Sequence, residues 1–427
     1  MSAPPDSSRL ARRLGTGDAI VIGLGSMIGA GVFAAFAPAA RAAGSALLLG
    51  LVIAGVVAYC NATSSAQLAA VYPTSGGTYV YGRERLGAWW GFAAGWAFVI
   101  GKTASCAAMA LTFATYAVPG PQWAQRLVGL AGVLALVAVN YRGVTKTAAL
   151  SRVLVACTLV ALAVAIVAVL TSGEVSGGHL GGWQALGAGA DAYGVLQAAG
   201  LLFFAFAGYA RIATMGEEVI DPERTIPHAI PIALGLTFAV YLAVGLCLLL
   251  ATGPDAIGRS AAPLATAADA VGAAYAVPVV RVGAAMASLG ALLALIAGVG
   301  RTSLAMAREG DLPRWLAAVH PRYRVPHHAE LALAAVVGVL VVTTDLRGVL
   351  GFSSFGVLTY YAIANASAFT QPPDQRRWPR AMNVLGAGGC AVLAVTLPPV
   401  SIAAATGVLA VGLGGRWLVA RRLRRHA

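Results

Sequence analysis

Three places in this 427-residue chain combine residue types that bind or move charge: residues 25–33 (Gly-Ser-Met-Ile-Gly-Ala-Gly-Val-Phe), residues 203–209 (Phe-Phe-Ala-Phe-Ala-Gly-Tyr), and Lys102. The first two set glycines and small residues in the middle of apolar, membrane-length segments. A helix that breaks there leaves backbone N–H and C=O groups unpaired, and hydrocarbon tolerates this only against protein or a water-filled cavity, so the breaks imply a bound polar solute. Lys102 stands midway along a third such segment, where an ionisable group is costly unless it is paired or faces a cavity. At 100° per residue it shares a helix face with Gly91, Gly95, Phe98, Cys106 and Met109, a stripe that admits close packing, and so it faces the bundle. It can attract an anionic group or carry a proton; a structural lysine bonded to carbonyls at a helix break is the alternative.

The elements that position these residues are membrane helices. Hydrophobic residues make up 59% of the chain and charged residues 11%, against about a quarter charged in soluble domains, and the mean hydropathy is +0.79. Apolar stretches long enough to cross ~30 Å of hydrocarbon at 1.5 Å per residue recur from end to end. Twelve spans are expected, at 17–41, 45–69, 88–118, 126–140, 149–171, 192–214, 229–252, 279–304, 329–344, 347–369, 381–397 and 399–419. The glycine-rich interruptions fall in the first and the sixth. An interrupted helix at the start of each of two five-span halves is the pattern of an inverted-repeat transporter, whose pseudo-two-fold axis brings the two breaks together at mid-membrane. Close helix packing through Gly25, Gly29 and Gly31 is the competing reading.

The formal net charge of +13 is distributed by topology. With a cytoplasmic N-terminus, the inner loops gather most arginines, among them Arg83, Arg142, Arg211, Arg224, Arg301, Arg308 and the tail Arg421-Arg422-Leu423-Arg424-Arg425, while the outer loops keep Arg41, Arg126, Arg259, Arg281 and Arg347. This asymmetry places both termini in the cytoplasm of a multi-pass cell-membrane protein. The basic tail reads as a headgroup anchor, and nucleic acid is not expected as a partner, since no RNA or DNA module accompanies the charge.

Several local patterns carry no chemistry. Arg12-Arg13 precedes a segment too long for a secretory signal, so a retained first helix is expected. The five cysteines, Cys60, Cys106, Cys157, Cys247 and Cys390, lie in apolar spans without a CxxC pair and read as free buried thiols. His320, His327 and His328 lack a partnering Cys or carboxylate pattern, so no metal is expected. Asn61-Ala62-Thr63 matches a glycosylation sequon but lies inside the second span. No catalytic residue is expected: the chain has no nucleophile with a matched base and no phosphate-binding loop. Without a long polar segment, residues 1–427 read as one membrane domain.

At these residues the sequence resembles the amino acid–polyamine–organocation (APC) permeases. Residues 25–33 resemble that family's G-x-x-I-G-x-G-I-F signature. Phe203-Phe204-Ala205-Phe206-x-Gly208 and Glu217-Glu218-x-x-Asp221-Pro222-Glu223-Arg224-x-Ile226-Pro227 resemble its next most recognisable stretch. Pro73-x-Ser75-Gly76-Gly77-x-Tyr79, Asn140-Tyr141-Arg142-Gly143-Val144 and Ala307-Arg308-Glu309-Gly310-Asp311-Leu312-Pro313 match as well. The resemblance implies an all-α polytopic membrane protein of twelve transmembrane helices. It would hold a LeuT-like five-plus-five inverted repeat (about 17–171 and 192–369), broken in helices one and six, with two extra helices at about 381–419. It further implies a secondary amino acid transporter working by alternating access, without a cofactor or an obligatory protein partner.

The implied site consists of Ser26, Met27, Ile28, Gly29 and Gly31, with Phe203, Phe204, Ala205, Phe206 and Gly208 from the sixth span. N–H groups of residues 27–31, at the N-terminal end of the resumed first helix, would hold the α-carboxylate. Carbonyls of Phe203, Phe204 and Phe206 would accept the α-ammonium, with Phe204 and Phe206 gating the substrate. Lys102 joins the set because a polar residue near this place in helix three approaches the substrate in family members. Two departures bear on coupling. Thr158 stands where several proton-coupled members carry a lysine, and Ala210-Arg211 replaces a glutamate common after the sixth-span glycine. Lys102 is then the coupling candidate, with a proton as the driving ion. With Asp18, Asp191 and Glu330 at span ends and no carboxylate beside the breaks, neutral or acidic amino acids are expected over cationic ones. Exchange or export by the same fold is the alternative to uptake, and a sensor or channel the third reading. The loop Glu217, Glu218, Asp221, Glu223 and Arg224 reads as a connector starting helix seven at Pro227, or as ion pairs to Arg142, Arg308 or Arg314.

Overall fold

The computed structural model describes residues 14–73, 76–142, 145–180, 191–213, 215 and 218–426. Arg9, Arg12, Arg13, Ser75, Gly143, Val144, Gly216 and Glu217 lie outside the described residues, as do the side chains of Arg422, Arg424 and Arg425. Nine described helices are long and apolar enough to cross a membrane, and three shorter apolar helices, Ala192–Phe206, His327–Thr343 and Arg380–Val395, fall where the sixth, ninth and eleventh spans are expected. Among the described residues there is no strand beyond one isolated bridge between Leu14 and Val219.

The first span is built as α1 (Thr16–Met27), α2 (Ala30–Ala34) and α3 (Phe36–Ala43). There follow α4 (Leu47–Val71), α5 (Thr78–Leu86), α6 (Ala88–Ala117), α7 (Gln122–Tyr141) and α8 (Thr145–Thr171). The second half begins with α9 (Ala192–Phe206) and α10 (Ala210–Ala213), then α11 (Pro222–Arg259), α12 (Pro263–Ala270), α13 (Ala276–Arg308), α14 (His327–Thr343) and α15 (Leu346–Phe369). Two helices close the chain, α16 (Arg380–Val395) and α17 (Pro399–His426). The end of the bundle where α1 starts is called here the near face, and the end where α3 finishes the far face.

Both interruptions are real breaks. Between α1 and α2 the backbone leaves helical geometry at Ile28 (φ −79°, ψ 69°) and Gly29 (φ −118°, ψ −144°), and between α9 and α10 residues 207–209 form a turn. Small residues let the broken segments meet. A Cβ on Gly31 would lie 2.6 Å from Ala205 Cα, and one on Gly208 would lie 2.1 Å from the Ser26 carbonyl oxygen. No side chain fits at either point, so the two breaks are in backbone contact. Around them α6 packs on α13 and α15, while α4 packs on α9 and α11. Buried amides tie α15 and α16 to α4: Asn365 Nδ2 donates to Asn61 Oδ1 at 2.6 Å, and Asn383 Nδ2 to Ser64 Oγ at 2.7 Å. In a lipid environment such bonds satisfy groups that have no water to turn to. Asn61 of the apparent sequon is fully buried in α4.

Two expectations need correction. The helix of the seventh span starts at Pro222, not Pro227. Pro222 occupies the first helical position, where its missing N–H is harmless and its fixed φ helps. Cys157 is exposed on α8, whereas the other four cysteines are buried and all five are free. Apolar neighbours in sequence cannot distinguish a lipid-facing position from a packed one.

Candidate functional site

The site is built where the two breaks touch. Tyr241, fully buried on α11, brings its hydroxyl to 2.6 Å from the Met27 carbonyl oxygen and 2.9 Å from that of Ala205. One proton shared between the last carbonyl of α1 and a carbonyl near the end of α9 pins the breaks to each other. On the other side Lys102, 6% exposed on α6, donates from Nζ to the Ala207 carbonyl at 3.1 Å, and Tyr361 Oη donates to the same oxygen at 3.4 Å. Lys102 thus makes the carbonyl contact of a structural lysine while its side chain also forms part of a cavity wall.

That cavity has a volume of about 110 Å³. Ser26, Met27, Gly29 and Gly31 line it from the first break, Phe204, Ala205 and Gly208 from the second, and Lys102 from α6. Ile28, Phe203 and Phe206 are not on its wall. Ile28 is 2% exposed. Phe203 sets its ring edge-on to Tyr361 at 6.0 Å, and Phe206 lies 5.0 Å from Tyr241. Of the two phenylalanines read as gates, only Phe204 faces the cavity. The carbonyls that side-chain donors reach are those of Ala205 and Ala207; Phe204 O accepts the turn bond from Ala207 N at 3.4 Å. Thr158 is buried and bonds its hydroxyl back to Leu154 O at 2.8 Å.

Two cavity residues escape a reading of the sequence. Arg211 on α10 and Arg301 on α13 both line the wall, although their charge and position read as inner-loop topology signals. A signal for Arg301 exists in the spacing: Ala291, Ala294, Leu295, Gly298, Arg301 and Thr302 all line the cavity and recur at helical three- and four-residue steps. Arg301 is exposed, so the wall reaches the solvent-accessible surface at that end. With Lys102, Arg211 and Arg301 on its wall the cavity is cationic, and none of the described lining residues is Asp or Glu. Such a lining is electrostatically favourable to a carboxylate and unfavourable to a cation.

A family model for amino acid permeases matches residues 14–413. An uncharacterized transporter of Mycobacterium tuberculosis is 59% identical over 424 residues, 99% of this chain and 94% of the relative. The branched-chain amino acid permease of Bacillus subtilis is 25% identical over 418 residues, covering 90% of this chain and 86% of that protein. The methylthioribose transporter of the same organism is 27% identical over 394 residues, covering 87% and 81% respectively. The matched region takes in both helix breaks and every residue of the cavity, and on that ground the chain belongs to the amino acid permease family: a multi-pass membrane transporter, not an enzyme.

Proposed function

We propose that this protein is a secondary active amino acid transporter that takes up a neutral or acidic amino acid by alternating access, driven by protons. In this reading the near face is cytoplasmic, the fold is the twelve-helix LeuT-like arrangement with repeats at about 17–171 and 192–369, and the central cavity is the substrate site. One observation carries it: two helix breaks meet in backbone contact beside a cavity that also holds a buried lysine. N–H groups at the start of α2 and the Lys102 ammonium are suited to a carboxylate. Lys102 already occupies the Ala207 carbonyl, so an arriving α-ammonium competes with it there. Substrate entry and release of Lys102 are therefore linked, and a lysine freed from its carbonyl is the group able to exchange a proton.

The test is reconstitution in liposomes, with uptake of a panel of labelled amino acids measured with and without an inward proton gradient and without sodium. Gradient-driven accumulation of a neutral or acidic amino acid is expected, with no saturable arginine uptake. Lys102→Met is expected to abolish accumulation while leaving downhill exchange of preloaded substrate. Full accumulation by that variant defeats the coupling role of Lys102, and uptake seen only into preloaded liposomes replaces symport with exchange.

A further inference from the structure

A second cavity, of about 290 Å³, lies toward the far face. It is lined in part by the same helices as the central one, though by different residues. Gly31 of α2 and Met109 of α6 line the central cavity, and Ala34 and Leu111 of the same helices line this vestibule, a step of about one helical turn or less. Arg41 from α3, Arg126 from α7 and Arg347 from α15 converge on it. Sequence topology leaves only five arginines to the outer loops, and the positive-inside bias works against placing any there. Three of the five meeting in one cavity call for a counter-charge.

The protein supplies little of it. Asp345 is the one carboxylate among the described lining residues, and its Oδ2 caps α15, accepting from the backbone N–H groups of Arg347 at 3.2 Å and Gly348 at 3.3 Å. Arg41 donates to the Gly258 carbonyl. Arg347 donates from Nη2 to Gln197 Oε1 at 3.1 Å, but its buried Nε has no partner among the described residues. Arg126 makes no hydrogen bond or ion pair to any described residue. Three guanidiniums against one engaged carboxylate leave the vestibule cationic, and a guanidinium fork is shaped to take a carboxylate through two parallel bonds.

We infer that this vestibule is a carboxylate-recognition site, at which Arg126 and Arg347 gather an acidic amino acid on its way to the central cavity. The inference rests on the transport reading above and narrows it from neutral or acidic substrates to acidic ones. A neutral zwitterion feels little net field. An amino acid with a second carboxylate carries net negative charge and meets cationic side chains in both cavities, at Arg41, Arg126 and Arg347 and then at Lys102 and Arg301. Clefts of one sign raise the local concentration of the opposite ion, and salt weakens the effect.

The experiment compares wild type, Arg126→Gln and Arg126→Lys in liposomes oriented far face outward, with labelled L-aspartate, L-glutamate and L-alanine at low and high salt. In Arg126→Gln the KM for L-aspartate is expected to rise about tenfold with little change in maximal rate, as loss of one charge-assisted contact predicts. The thermal midpoint in detergent stays as in wild type, which reports on folding, and Arg126→Lys recovers part of the loss. The salt dependence of L-aspartate KM flattens in the glutamine variant. An aspartate KM within about twofold of wild type overturns the inference. So does a shift present in phosphatidylglycerol-containing liposomes and absent from pure phosphatidylcholine, which assigns Arg126 to a lipid phosphate. Uptake of L-alanine without either acidic amino acid overturns it while leaving the transport reading intact; uptake of no amino acid removes both.

Discussion

The two ends of the bundle use arginine in opposite ways. At the near face Asp311, whose side chain is 6% exposed, accepts from Tyr79 Oη at 2.8 Å, from Arg83 Nη1 at 3.5 Å and from Arg416 Nη1. Arg83 also pairs with Glu309 at 3.1 Å, and the Arg416 guanidinium lies 4.7 Å from the centre of the Phe92 ring. One carboxylate therefore ties α5, the turn after α13, and α17 together. At the far face Arg41 and Arg347 bond a carbonyl and an amide, and Arg126 has no partner among the described residues. The lesson concerns counter-charge and not charge. A cation whose carboxylate is built into the fold holds helices together, whereas one without such a partner is available to a passing anion.

This contrast is open to direct attack. The largest effect is expected from Asp311→Ala, which takes the carboxylate from Arg416 and the acceptor from Tyr79 while leaving Arg83 only Glu309, and should destabilise the protein by about 3 kcal/mol, read as a fall in thermal midpoint in detergent. A midpoint equal to wild type removes the structural role of the near-face network. A smaller loss, about 1 kcal/mol, is expected from Tyr79→Phe. Burial, with the Asp311 carboxylate beside it, pushes the Tyr79 phenol above its ordinary value, so this donor keeps its proton and the loss should be the same at pH 7 and pH 9. The smallest effect is expected at the far face, where Arg126→Gln should change stability by under about 0.5 kcal/mol while altering transport of acidic substrates. A large stability loss in that variant makes the two faces alike and ends the comparison.

Much of the fold is legible without coordinates. The span expected at 88–118 is the helix Ala88–Ala117, and that at 347–369 is Leu346–Phe369, because the apolar length of a membrane helix is imposed by the bilayer and written into every residue it crosses. Both helix breaks are legible for a related reason: small residues at mid-membrane depth are the only ones that let two backbones touch. Less legible is everything outside the hydrocarbon. The helix α5 and the start of α11 at Pro222 depend on caps and turns that hydropathy does not record. The orientation of aromatic rings is hidden too. Phe204 and Phe206 are two residues apart on one helix, about 200° around its axis, and only packing against Tyr241 and Phe238 determines that the second turns from the cavity.

Composition, span length and the placement of glycines were enough to establish a helical membrane protein broken in its first and sixth spans, and to mark Lys102 as out of place in lipid. They could not establish which cations would share a cavity. Arg211 and Arg301 are 90 positions apart and belong to different helices, as do Arg41, Arg126 and Arg347. Each reads locally as an ordinary loop arginine obeying or breaking a topology rule. Their convergence follows from how helices rotate and cross when glycine and alanine faces pack, a long-range outcome that hydropathy, a property of single segments, does not contain.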